Sequence, residues 1–110
     1  MQGQNQDHFE APEPEWSELR RAAIGERIRT IRRHRKLTQE KLAHRIGLDR
    51  RSIHRYEAAK RDPLLSVLIL VADALDVPLA LLVDDSLEIN LVDAHRDERM
   101  SPPTWAARRK

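Results

Sequence analysis

The sequence predicts an all-α chain, with one domain of five helices between an acidic N-terminal tail and a C-terminal tail. Three observations carry that expectation. Apolar residues recur at three- and four-residue steps from Ile24 to Val83, the spacing of one helix face. Capping and stopping residues punctuate that stretch at intervals of a short helix. No period-two alternation appears before Leu87, and only three glycines and one phenylalanine are present, which argues against a β-sandwich or a glycine-cradled phosphate loop.

Residues 1–19 carry five acidic groups and no basic ones, and 1–15 are proline-punctuated and poor in apolar groups, so the segment is predicted to be disordered. Helical signals begin near Trp16–Ser17. Ile24, Ile28 and Ile31 form one stripe of a first helix that ends near Arg35–Lys36, where cations suit the negative end of the helix dipole. Thr38 is a good N-cap for a second helix with Leu42, Ala43 and Ile46 facing inward and Gly47 as its stop. Asp49 caps a third, Arg50 to about Ala58, whose inward residues are Ile53 and Tyr56. Asp62–Pro63 reads as an N-cap followed by proline at the first helical position. The fourth helix then runs to about Leu75, burying Leu65, Leu68, Ile69, Ala72 and Leu75. A short fifth follows Val77–Pro78, with Leu79, Leu82 and Val83. The domain is expected over 20–84. In the tail, 85–110, the alternation Leu87-Glu88-Ile89-Asn90-Leu91 fits a short strand over 87–92.

The formal charge of +2 hides a strong polarity. Residues 20–61 hold fifteen Lys and Arg against Glu26, Glu40, Asp49 and Glu57, a net of +11, while the flanking segments are acidic. One strongly basic half points to a polyanionic partner, although a basic run is often only a solvated face. The apolar run 64–83 is no membrane span: Asp73 and Asp76 would each cost about 2.5–3.5 kcal/mol there, and Pro78 interrupts it. The N-terminus has no basic-then-apolar signal pattern, so the expected location is cytoplasmic.

The chain has no cysteine, and its five histidines lack the paired spacing of helix-borne ligands, so no metal and no cofactor are expected. No Ser/His/Asp set is flanked by the glycines of a nucleophile turn, and Asp84–Asp85 reads as a helix end. An enzyme is not expected.

The informative stretch is Thr38 to Glu57, TQEKLAHRIGLDRRSIHRYE. Two short helices joined by a tight turn cross steeply, which needs a small residue at the approach, Ala43, and a turn residue tolerant of left-handed dihedrals, Gly47. Arg50 and Arg51 sit in the first turn of the third helix, against the helix dipole, and Arg55 lies one turn beyond. That placement suits a surface rich in anions or acceptors, and arginine on a guanine edge is the commonest specific major-groove contact.

From Ile24 to Val83 the sequence resembles the lambda-repressor/Cro-like or XRE class of helix-turn-helix domains. The resemblance lies in Ile28 and Arg32, Leu37-Thr38-Gln39, Leu42-Ala43, Gly47-Leu48, Ser52-Ile53, Tyr56-Glu57, Lys60-Arg61-x-Pro63, Leu68, Ala72 and Leu75, without a gap. It implies a five-helix domain that binds operator DNA, usually as a two-fold dimer, as a transcriptional repressor. It also implies that Gln39 bonds a phosphate, that Arg50, Arg51 and Arg55 read bases, and that Ser52, Lys60 and Arg61 grip the backbone. His54 points from the same helix, where it can touch DNA. Arg32 and Glu57 match a buried or half-buried structural ion pair.

Two departures stand out. Where the family has Asn-Gly this chain has Ala58-Ala59, and an alanine at positive φ would strain the loop by about 1 kcal/mol, which predicts another path for it. Leu64, Leu70 and Leu81 replace residues more often polar in the family. They read as plain surface leucines or as an apolar patch that, like the C-terminal tail, would suit a dimer or a protein partner, as in an antitoxin or an interaction module on the same scaffold.

Overall fold

A computed structural model describes residues 14–96, 99 and 102, with side chains from Ser17 onward. Within these it has five helices and no strand: α1 (Pro14–His34), α2 (Gln39–Ile46), α3 (Arg50–Glu57), α4 (Leu65–Leu75) and α5 (Leu79–Val83). Helix α1 begins at Pro14, inside the segment expected to be disordered. A proline tolerates a helix's first turn, where its missing N–H would have no intrahelical partner anyway. The rest of that segment, 1–13, lies outside the described residues.

The core is one cluster to which all five helices contribute, with Ile28 and Ile31 of α1, Leu42 of α2, Ile53 of α3, Val71 and Leu75 of α4 and Leu82 of α5 almost wholly buried. Caps hold the two middle helices as expected. Thr38 Oγ1 accepts the Lys41 N–H and Asp49 Oδ1 accepts the Ser52 N–H. Ala43 is buried at the α2 crossing and Gly47 stands at φ 77°.

Helices α1 to α4 all end in the same way. The residue after the cap turns left-handed and donates to the carbonyl three back, and the next donates five back. These pairs are Lys36 and Leu37, Gly47 and Leu48, Ala59 and Lys60, Asp76 and Val77. Lys36, Ala59 and Asp76 take φ of 61°, 61° and 58° without being glycine. The expectation that the loop after α3 takes another path is corrected: Ala59 turns left-handed and accepts the strain, because turning away would orphan the Arg55 and Tyr56 carbonyls that the loop closes.

Three more expectations are corrected. Asp62 does not cap α4; its carboxylate is bonded to Arg21, and the chain stays extended through Leu64 before α4 starts at Leu65 without a side-chain cap. Leu65 and Ile69 are exposed, and Val71 and Ala74 are buried alongside Leu68, Ala72 and Leu75. Leu81, expected at the surface, is buried, and Leu70 packs against the core, which leaves Leu64 of the three leucines at 70% exposure.

No strand forms at 87–92. The segment has no regular secondary structure and lies on the body with Ile89, Leu91 and Ala94 against the core. Arg27 of α1 and Arg35 in the turn after it take the place of a partner strand. Arg27 donates to the carbonyls of Leu81 and Leu87, and Arg35 to those of Leu75, Asp76 and Ala94. His95 Nδ1 and the Arg96 N–H then meet the Asp76 carboxylate at 2.7 and 3.1 Å. Burial pushes the Asp76 carboxyl up, but these bonds outweigh it and hold the group below the usual carboxylate range.

Candidate nucleic-acid interface

Helix α3 is divided lengthwise. Ile53, Tyr56 and Glu57 are buried on its inner side, while Arg50, Arg51, His54 and Arg55 are exposed. At 100° per residue these four cover about 140° of arc, so the outer face carries three guanidinium groups and an imidazole. None of the three arginines makes an ion pair with a described residue. Lys60 and Arg61 are exposed immediately beyond the helix, and Ser52 is half-buried in its first turn.

Elsewhere many arginines of the basic stretch are engaged within the fold. Arg27, Arg35 and Arg45 donate to carbonyls at or near the ends of α4 and α5, Arg32 is buried, and Arg20 and Arg21 bond Asp85 and Asp62. The net charge of 20–61 thus overstates the basic surface on offer. Of what remains outward, five cations lie on α3 and the loop after it, with Arg33, Lys36 and Lys41 exposed elsewhere.

The inner end of α3 is anchored by Glu57. Its carboxylate, fully buried, accepts from Arg32 Nε at 2.6 Å and Nη2 at 3.0 Å in a two-pronged bond. A third nitrogen of Arg32 donates to the Leu37 carbonyl at 2.8 Å. Gln39 Nε2 donates to Glu57 Oε1 at 3.0 Å, and Arg29 stands 3.7 Å from the same oxygen. Glu57 thereby ties α1, the start of α2 and the end of α3 together. Gln39, at the start of α2, thus reaches α3 at the far end of that helix.

Two contributors escape a reading by motif. Gly25 is buried in α1 where a Cβ would lie 2.6 and 2.7 Å from the Tyr56 and Glu57 carbonyl oxygens, so only glycine lets α1 approach the end of α3. Its one signal in sequence is a helix-weakening residue inside a helical pattern. Arg29 joins the Glu57 cluster from α1 with no signal beyond its charge. Among the described residues no group of His, Asp and Glu is gathered as a metal site, and no helix is long and apolar enough to cross a membrane.

A helix-turn-helix family profile matches residues 28–82, which contains α2, α3 and α4 whole and most of α5. The chain belongs to the XRE-type helix-turn-helix family. Among its relatives is an immunity repressor protein of Bacillus phage phi105, 39% identical over 62 residues that make up 56% of this chain and 43% of that protein. Two uncharacterized HTH-type transcriptional regulators of Bacillus subtilis strain 168 also match. YobD is 40% identical over 47% of this chain and 46% of its own length, and YqaE is 32% identical over 76% and 73%. The match thus spans under half the length of the first two relatives and nearly three quarters of the third. No solved structure matches the chain. In this helix-turn-helix chain α2 and α3 are the two motif helices, and α3 holds the position of the recognition helix.

Proposed function

We propose that this protein is a sequence-specific DNA-binding transcriptional regulator, acting as a repressor, and not an enzyme. The observation that carries the reading is the outer face of α3. Three arginines stand there exposed and unpaired among the described residues, on a helix whose other side is locked into the core. A phage immunity repressor and regulators of the helix-turn-helix type among the relatives support the same reading.

In this account α3 lies in the major groove, where Arg50, Arg51 and Arg55 meet guanine O6 and N7, and His54 faces the same floor. Gln39 at the start of α2, Ser52, Lys60 and Arg61 hold phosphates and set the register. Gln39 keeps one amide hydrogen on Glu57, so its position is fixed before DNA arrives. Two copies related by a two-fold axis would read half-sites about 34 Å apart, one DNA turn. Repression then follows from equilibrium occupation of the operator.

Selection of bound sequences from random duplex DNA, followed by a salt titration, tests the reading. It requires a palindromic motif containing guanine, and with about six phosphates neutralised log K falls with log salt at a slope near −5. Binding that ignores salt, or enrichment of no motif, refutes it.

A further inference from the structure

Asp49 is the residue on which the recognition face departs from a plain basic surface. It is the N-cap of α3, with extended backbone (φ −94°, ψ 164°), and it is exposed immediately beside Arg50. Its Oδ1 accepts the Ser52 N–H at 2.8 Å, which fixes the direction of the carboxylate. The Ser52 hydroxyl bonds the same carboxylate, which stays exposed, and no arginine closes on it to ion-pair distance among the described residues. The Ser52 N–H and the Ser52 hydroxyl hold the carboxyl below the usual carboxylate range, with Arg51 and Arg55 adding to the effect, so the group carries its charge at neutral pH.

Capping does not require that charge. Asparagine and serine cap as well as aspartate, and α2 is capped by the neutral Thr38. A carboxylate does offset Arg50 and Arg51 at the positive end of the helix, but for an exposed group that benefit is small. It comes at the end of α3 that would enter the groove, where phosphates and the acceptors of guanine repel a negative charge. One kind of group there attracts it, an amino hydrogen. Cytosine presents its N4 amino group on its own, whereas adenine sets the N7 acceptor beside its amino group.

We infer that Asp49 is a specificity-determining residue: its exposed carboxylate accepts from cytosine N4 at the base pair next to those met by Arg50 and Arg51. The assignment rests on α3 being the DNA-reading helix, and it adds a selected base that arginines alone would not choose. The carboxylate discriminates twice, accepting from cytosine and repelling the acceptors of guanine, thymine and adenine.

The test is selection from random duplex DNA with the full chain in three forms: wild type, Asp49→Asn and Asp49→Ser. Both substitutes keep a side-chain oxygen for the Ser52 N–H, so α3 should remain capped. The wild type should select cytosine at one position of each half-site by about 5-fold or more, the low end for a good base contact. Both variants should lose that preference while the guanine positions stay unchanged. In Asp49→Asn, with an amide N–H₂ turned outward, the preference should pass to a base offering an acceptor. A wild-type motif reproduced unaltered by both variants overturns the assignment alone. So does an equal gain or loss of affinity on every sequence, the signature of simple repulsion or of a lost cap. A wild type that enriches no motif overturns it together with the DNA-reading account.

Discussion

Removing the Glu57 carboxylate, as in Glu57→Ala, should do more damage than any single change on the outer face of α3. The side chain is 0% exposed and its partner Arg32 is 9% exposed. Truncation therefore leaves a buried guanidinium with only the Leu37 carbonyl, and it strands the Gln39 amide. Breaking a buried pair from one side costs about 3–5 kcal/mol, most of it the uncompensated charge. A folded part of roughly 80 residues has only about 4–12 kcal/mol in total. The loss is then of the order of half the stability, and the melting temperature should fall by roughly 15–30 °C. Urea denaturation followed by circular dichroism reads the change directly. The paired substitution Arg32→Met with Glu57→Leu separates charge from packing. It should recover most of the loss, because an apolar pair of similar volume leaves nothing buried and unpaired. A Glu57→Ala protein within about 1 kcal/mol of wild type, or a double variant no better than the single one, would refute the reasoning.

Gly25→Ala sets a helix-propensity gain of up to about 1 kcal/mol against a Cβ driven into two backbone carbonyls. Backbone cannot swing aside as a side-chain tip does, so the overpacking cost of about 1–3 kcal/mol should win, and calorimetry should show a lower melting temperature. Ala59→Gly should act the other way, relieving the residue at φ 61° and raising stability by up to about 1 kcal/mol; an unchanged or lower value in urea denaturation would contradict the strain assigned to that loop. Asp76 has a lowered folded-state pKa, so its contribution to holding His95 and Arg96 is present above the ordinary carboxylate range. It is lost as pH falls through the lowered value. Amide resonances of 94–96 should shift in that acid window while those of α2 and α3 hold; resonances of 94–96 that do not move would argue that Arg35 and the Arg96–Asp73 pair keep the segment in place without Asp76.

The parts of the fold that contrast with their surroundings were legible in the sequence. Thr38, Gly47 and Asp49 announce their helix ends because cap and stop chemistry is local, and Ile28 and Ile31 mark the inner side of a helix otherwise rich in charge. Helix α4 offers no such contrast. In LSVLILVADAL nearly every position is apolar, so periodicity cannot say that Leu65 and Ile69 face out while Val71 and Ala74 face in. The alternation after Leu87 does report a segment whose Ile89 and Leu91 turn inward, though no strand forms. What it could not report is that Arg27 and Arg35, rather than a neighbouring strand, bond its carbonyls. For the same reason the basic stretch looked uniform: charge is visible in a sequence, but the carbonyl that engages it is distant along the chain. Asp62 failed as a cap signal because Arg21, far away in sequence, claims its carboxylate.

The central claim is that the outer arginines of α3 read bases, and Arg51→Ala tests it most directly. Its affinity should be measured on the selected operator and on a scrambled duplex at the same salt. Arg51 is exposed and bonds no described residue, so the fold should be unaffected. The account predicts a loss of about 1–3 kcal/mol on the operator, with affinity for the scrambled duplex little changed. An equal loss on both duplexes would reassign Arg51 to the phosphates, and no loss on either would contradict the placement of α3 in the groove.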